Sequence, residues 1–155
     1  MNRRAFGERV TVMQGSLYRV AASYLRGESD RLDAVAEAIA KAWEKRQTLR
    51  DEALFATWMT RILIRVCVDM QRRQKRLIPT DDVAEKPAED EKIATLREAI
   101  DSLPQKARTM IVLHYMEGYD VREIAGMMGT KKGAVCAGLA RAREKLRAYL
   151  EEDER

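Results

Sequence analysis

Six cationic side chains, Arg61, Arg65, Arg72, Arg73, Lys75 and Arg76, fall between positions 61 and 76, where the only acid is Asp69. A second group, Lys131, Lys132, Arg141, Arg143, Lys145 and Arg147, has only Glu144 against it between 131 and 147. Guanidinium and ammonium groups at that density neutralise phosphates and release the counterions condensed on a nucleic acid, so both groups suit polyanion binding. The sign reverses between them, with Asp81, Asp82, Glu85, Glu89, Asp90 and Glu91 against Lys86 and Lys92. The net charge of +4 would say little alone; its distribution gives two basic surfaces and an acidic connector. A plainer reading stands beside each basic group, since cations are favoured near helix C-termini and charged faces are often only solvated.

No residue pattern supports catalysis. His114, the single histidine, lies one helical turn from Met110 and has no nucleophile or metal ligand near it in sequence, so it reads as structural. Asp33 and Glu37 are one helical turn apart and lack a companion arranged for acid–base work. Cys67 and Cys136 have no partner at metal-ligand spacing, so neither a zinc site nor a disulfide framework is expected, and both are expected as reduced thiols in a cytosolic protein. No apolar run approaches the roughly 20 residues that cross a bilayer, and no apolar segment follows the basic start at Met1 to Phe6. These features predict a cytoplasmic chain with no enzymatic activity, cofactor, metal, small-molecule substrate or direct membrane insertion.

The elements that must position the cations are helices. With 46% hydrophobic but only 6% aromatic residues, 35% charged residues, 8 Gly and 3 Pro in 155 residues, the composition predicts an all-α chain. Phe6, Val10, Met13, Leu17, Val20 and Tyr24 stripe a first helix that should end near Gly27. Ser29 or Asp30 should cap a second, with Leu32, Val35, Ile39, Ala42 and Trp43 on its core face, and Asp51 a third, with Phe55, Trp58, Ile62, Val66 and Met70. In that third helix, Phe55 and Trp58 are expected in the core rather than as base-stacking platforms. Together these make a small three-helix domain over 1–76. Residues 77–95 hold two prolines and mostly acidic charge, which predicts a flexible linker whose end is already able to be helical.

The second domain, 96–155, should begin with a helix over 93–101 stopped by Leu103-Pro104. Another, over 105–117, should be closed by a left-handed Gly118. Asp120 and Glu123 form a capping-box start for a short helix with Val121, Ile124, Ala125 and Met128 on its apolar face. Gly129-Thr130 should supply the turn and the next N-cap, before a long helix striped by Val135, Leu139, Ala142, Leu146 and Tyr149. Short helix, glycine turn and long cationic helix make a helix-turn-helix, whose second helix would enter a major groove. The rival reading is a mere bundle corner.

With both domains in this order, the chain resembles the extracytoplasmic-function, or group 4, RNA polymerase sigma factors along nearly its whole length. Asp33-Ala-Val-Ala-Glu37 followed by Lys41-Ala-Trp43 is similar to the family's D-x-V-Q-E-x-F-x-x-A-W segment, which grips the polymerase. Phe55-Ala-Thr-Trp-Met-Thr-Arg-Ile62 and Val66-Cys-Val-Asp-Met-Gln-Arg-Arg73 resemble its F-x-T-W-L-x-R-I and N-x-x-x-D-x-x-R-R promoter-melting signature. The C-terminal match runs from Leu103-Pro104 through Val112 to Gly118, and Glu123-Ile-Ala125, to Arg141-Ala-Arg-Glu-Lys-Leu146.

The resemblance implies an alternative sigma factor that brings polymerase core to promoter DNA and is held by an anti-sigma factor. It implies polymerase contacts at Asp33, Glu37, Lys41 and Trp43, and minus-10 contacts at Arg61, Arg65, Asp69, Arg72 and Arg73. Minus-35 contacts would fall on Thr130, Lys131, Lys132, Ala134, Cys136, Ala137, Arg141 and Arg143. The chain departs from the family at Ala36, at Arg65 in place of Asn, and at Val135-Cys-Ala-Gly-Leu139 in place of V-K-S-R-L. The last change is expected to remove two cations and a hydroxyl from the surface facing DNA. Those losses leave open a sigma-like decoy that binds an anti-sigma factor without reading promoters. A stand-alone helix-turn-helix regulator is a further alternative, but it leaves the first 76 residues unexplained.

Overall fold

The computed structural model describes residues 1–76 and 91–153. The chain divides into two compact units, Met1–Ala84 and Glu85–Arg155, and every described element is a helix or a turn. Most of the acidic connector, positions 77 to 90, lies outside the described residues. The end assigned to it is helical, because a helix has already begun at Glu91.

The first unit packs α1 (Arg3–Ala22), α2 (Glu28–Glu44) and α3 (Phe55–Arg76) on one another. The Asn2 side chain accepts from the Ala5 amide at 2.9 Å and caps α1, and Phe6, Val10, Met13, Leu17 and Val20 line its buried face. The helix ends at Ala22, five residues before Gly27. Side chains stop it: the Ser23 hydroxyl donates to the Val20 carbonyl at 2.6 Å, Gln71 Nε2 to the Tyr24 carbonyl at 2.6 Å, and Arg31 Nε to the Leu25 carbonyl at 2.7 Å. With those carbonyls taken, no glycine is needed to leave the helix.

Gly27, not Ser29 or Asp30, occupies the cap position of α2, and it offers no side chain. The face of α2 agrees with the expected one at Ala42 and differs at the larger residues. Ala34, Ala38 and Ala42 are fully buried, whereas Leu32 is 54% exposed and Val35, Ile39 and Trp43 are half-buried. Small side chains at every fourth position let α2 approach its neighbours closely and turn the bulky ones outward. Asp51 accepts from the Ala53 amide at 3.0 Å and caps a 3₁₀ turn, Glu52–Leu54, that runs directly into α3. On α3 the buried set is Phe55, Met59, Thr60, Leu63, Ile64, Val66 and Cys67, so Trp58, Ile62 and Met70 lie at its margin.

The second unit begins with α4 (Glu91–Asp101) and α5 (Gln105–Ile111), which continues as a π-helical turn, Val112–Met116. Gly118, at φ 76°, closes that turn in the left-handed region where a side chain would be strained. Then come α6 (Val121–Met128) and α7 (Lys132–Asp153). Leu113, Ile124 and Val135 are fully buried, and burial of such a side chain contributes about 1.5–3 kcal/mol. Buried polar groups are satisfied: among the described residues no buried side-chain nitrogen or oxygen lacks a partner.

The α2 contact gives a direct test. Ala38→Leu forces bulk into a fully closed contact and is expected to lower the stability of the first unit by about 1–3 kcal/mol. Leu32→Ala removes a largely exposed side chain and should change it by no more than about 0.5 kcal/mol. Urea unfolding followed by tryptophan emission reads this unit alone, because both tryptophans, Trp43 and Trp58, lie in it.

Candidate nucleic-acid interface

In the first unit α3 builds the candidate surface. Its buried residues hold one side of the helix, and Arg61, Arg65, Asp69 and Arg72, spaced by four, four and three positions, form an exposed stripe opposite them. Arg73 is exposed at its edge. Phe55 is buried as expected, but Trp58 is half-buried, one turn before Arg61 and tilted against Phe55 at 5.7 Å between ring centres. An indole edge therefore heads the cationic row.

Two residues that the sequence reading did not single out fix this end of α3. Gln71 donates to the Tyr24 carbonyl, and Gln74 Nε2 donates to Asp30 Oδ2 at 2.9 Å, tying the last turns to the loop after α1 and to the first turn of α2. The only signal was two amides, three positions apart, in an otherwise cationic run. Their partners are more than forty positions away in sequence.

On α2 the stripe of Ala34, Ala38 and Ala42 has Asp33, Glu37 and Lys41 along one flank and Leu32, Val35, Ile39 and Trp43 along the other, so Trp43 stands apart from the three charged positions. Glu37 and Lys41 form an ion pair at 3.2 Å, each about two-fifths exposed. At that exposure the pair adds a few tenths of a kcal/mol at most. Trp43 has structural work as well: it meets Phe6 edge-on at 5.3 Å, and the Arg46 guanidinium covers its ring at 3.7 Å.

In the second unit α6, a tight turn and α7 form the helix-turn-helix. Asp120 accepts from the Glu123 amide at 2.8 Å while Glu123 Oε1 accepts from the Asp120 amide at 3.3 Å, the reciprocal capping box that the spacing predicts. Ile124, Ala125 and Met127, rather than Met128, are the buried residues of α6. Gly129 ends α6 in the left-handed region at φ 65°, and the Thr130 amide donates to the Ala125 carbonyl at 2.9 Å. Thr130 thus closes α6. Lys131 is the residue just before α7, and its carbonyl accepts from the Val135 amide at 3.2 Å.

On α7, Val135, Gly138, Leu139 and Ala142 are buried, with Leu146 and Tyr149 half-buried. Thr130, Lys131, Lys132, Ala134, Cys136, Ala137, Arg141 and Arg143 are all exposed. Gly138 is a correction to the reading of the departures, because this position does not face outward. A Cβ added there would meet Met110 Sδ at 2.5 Å, so the glycine lies where α7 approaches α5 closely. Arg143 Nη1 donates to the Tyr115 hydroxyl at 2.8 Å, a contact with no sequence signal, which the π-helical turn makes possible by presenting Tyr115 outward. His114 Nδ1 lies 2.9 Å from the Tyr119 carbonyl, in keeping with a structural role. Among the described residues no cluster of His, Cys, Asp or Glu suits a metal ion, and no helix is long and apolar enough to cross a membrane.

Comparison with known proteins agrees with both halves of this geometry. Residues 10–77 match the family described as Sigma-70 region 2, and residues 93–146 that described as Sigma-70, region 4. The RNA polymerase sigma factor SigV of Bacillus subtilis is 33% identical over 150 residues, 94% of this chain and 90% of the relative. The ECF RNA polymerase sigma factor SigM of Mycobacterium tuberculosis is 30% identical over 96% of this chain and 79% of its own length. Among solved structures, CnrH in complex with the cytosolic domain of CnrY has a TM-score of 0.76 at 28% identity, covering 98% of this chain and 91% of that one. The fold is shared with the sigma factor RpoE of Bartonella quintana, solved with the anti-sigma factor NepR, at a TM-score of 0.85, 21% identity and coverage of 96% and 98%.

Two measurements check the local chemistry. Hydrogen bonding from the Glu123 amide, with Arg122 adding its charge, holds the Asp120 carboxyl below its ordinary range. The cap is then fully effective above the unfolded aspartate pKa of about 3.9 and is lost as pH falls through the lower folded value. Helical circular dichroism on acid titration should show that loss in the wild type, and Asp120→Asn should flatten it. Burial pushes the Cys67 thiol up to about 12, while Cys136 is exposed. A disulfide reagent at pH 8 should therefore modify one thiol per native chain, and Cys136→Ser should abolish the reaction.

Proposed function

The chain belongs to the extracytoplasmic-function group of the sigma-70 family, and on that premise we propose how its two units divide the work of an alternative sigma factor that directs RNA polymerase core to specific promoters and initiates transcription. The observation that carries the division is the pair of exposed cation groups: a row on α3 opposite its packed face, and Lys131, Lys132, Arg141 and Arg143 around the exposed small-residue ridge of α7. The first unit, 1–76, engages polymerase through α2, with Asp33, Glu37 and Lys41 on one flank of the helix and the half-exposed edge of Trp43, beside Leu32, Val35 and Ile39, on the other. It holds the minus-10 strand through Arg61, Arg65, Asp69, Arg72 and Arg73. The acidic segment, 77–95, links it to the second unit, 96–155, which grips the minus-35 duplex through Thr130, Lys131, Lys132 and Arg141, with Ala134, Cys136 and Ala137 against the bases and Arg143 at the edge of the footprint.

Physical reasoning supports that split. Duplex capture requires phosphate neutralisation and a helix that fits the major groove, both available at α7. Strand opening requires a site for an unstacked base, and extruding one costs a few kcal/mol that contacts elsewhere must offset. A half-buried Trp58 beside guanidinium groups suits that second task better than duplex reading. The apolar shoulder of α2 and the anti-sigma factor NepR bound to the sigma factor RpoE, whose fold is shared, support an anti-sigma regulator that covers the polymerase-binding face. Neither fact favours the decoy reading, in which promoter contact would be absent. Sigma factors are initiation factors, and the chain is read as non-enzymatic and cytosolic.

Run-off transcription with core polymerase and a cognate promoter tests the proposal. The wild-type protein should support specific transcripts, and Arg72→Ala with Arg73→Ala should reduce open-complex formation by tenfold or more at about 1.4 kcal/mol per decade. Lys131→Ala with Lys132→Ala should weaken promoter binding and lower the slope of log K against log salt by about 2, as for two lost phosphate contacts. A protein that fails to co-elute with core enzyme would contradict the reading.

A further inference from the structure

Between the cations at the two ends of α7's outer face lies a surface that offers almost no hydrogen-bonding side chains. Gly133, Ala134, Ala137 and Ala140 are exposed and carry at most a methyl group, and Cys136 adds only a thiol, a weak donor. Positions 133, 137, 140 and 144 form one ridge, on the side away from the buried Val135, Leu139 and Ala142. Glu144 ends that ridge, and a carboxylate there is repelled by phosphates, so the DNA footprint closes before it.

The major groove presents a chemical choice. Guanine is read by Arg or Lys, adenine by Asn or Gln, and cytosine by Asp or Glu, whereas the thymine 5-methyl is read by apolar contact. None of the polar readers stands between 133 and 140. The remaining charged groups are placed for phosphates: Lys131 and Lys132 at the helix N-terminus, where anions are favoured, and Arg141 beyond the second turn. Arg143 is engaged by the Tyr115 hydroxyl. Small side chains also let the helix lie deep in the groove, close to the methyl groups.

We infer that α7 recognises its duplex through thymine methyl groups packed against Gly133, Ala134, Ala137 and Ala140, while Lys131, Lys132 and Arg141 grip phosphates without reading bases by hydrogen bonds. The inference rests on α7 being the minus-35 helix, and it deepens that reading by naming the base and the atom recognised. Discrimination at this element is correspondingly shallow, since a methyl contact separates bases less sharply than a bidentate hydrogen bond.

The test uses the full-length protein with core polymerase. A minus-35 element is selected from randomised duplexes ahead of a fixed downstream promoter and then remade with deoxyuridine for thymidine, which deletes the methyl, or with 7-deazapurines, which delete the N7 acceptor. Each deleted methyl in the element should weaken binding about 3- to 5-fold, the range expected for one buried methyl-sized group. The deazapurine duplex should bind within about 2-fold of the parent. A selected element without thymine, uracil substitution without effect, or a loss of tenfold or more with deazapurines would overturn the inference, the last revealing bidentate readout. The Lys131→Ala, Lys132→Ala protein keeps failure of the premise distinct. If it binds the unmodified duplex as the wild type does, with the same salt slope, then α7 is not the DNA helix and the premise falls, not the base chemistry.

Discussion

An α-helix can display a row of like charges only if its opposite face is held firmly enough to outweigh their mutual repulsion. That constraint governs both units of this protein. On α3 the anchoring face is a continuous run of Met59, Leu63, Val66 and Cys67, and on α7 it is Val135, Gly138, Leu139 and Ala142. On α3 the anchor turns the cations directly outward, and on α7 it leaves them exposed around the small-residue ridge. Long-range hydrogen bonds then fix where the rows end, through Gln71 and Gln74 on α3 and through Tyr115 on α7.

Small residues decide how those anchors fit. Ala34, Ala38 and Ala42 bring α2 close to its neighbours, and Gly138 does the same for α7 against Met110 on α5. On α2 the close contact leaves larger side chains at the surface as an apolar shoulder, whereas the exposed ridge of α7 is itself built of small residues. In the proposed reading the first meets polymerase or its regulator and the second meets bases. Packing and recognition are thus set by the same few side chains, and enlarging one of the small residues would disturb both.

Much of this was legible in the sequence because it depends on local chemistry. The stripe of α1, the capping box at Asp120 and Glu123, the left-handed Gly118 and the face of α7 all follow from spacing alone. What was misread depends on partners. Counting large apolar residues put Leu32, Val35 and Ile39 inside α2, although the alanines between them make the closer contact. Gly138 read as a missing cation because sequence does not reveal that Met110 lies opposite it. The exit from α1 at Ala22 depended on Gln71 and Arg31, one of them distant in the chain, so glycine looked like the natural stop.

The division of labour between two cationic rows makes a geometric claim about one complex: both rows must touch the same promoter when the chain is bound to polymerase. Neither row alone need bind tightly, because tethering on one particle raises the effective concentration of each for its own DNA segment. The most direct measurement is photo-cross-linking in a polymerase–promoter complex, with a benzophenone side chain placed at position 65 in one protein and at position 137 in another. The account predicts a cross-link from position 65 to the non-template strand at the minus-10 element and from position 137 to the minus-35 duplex. Cross-links from both positions to protein alone, or from both to one promoter element, would contradict it.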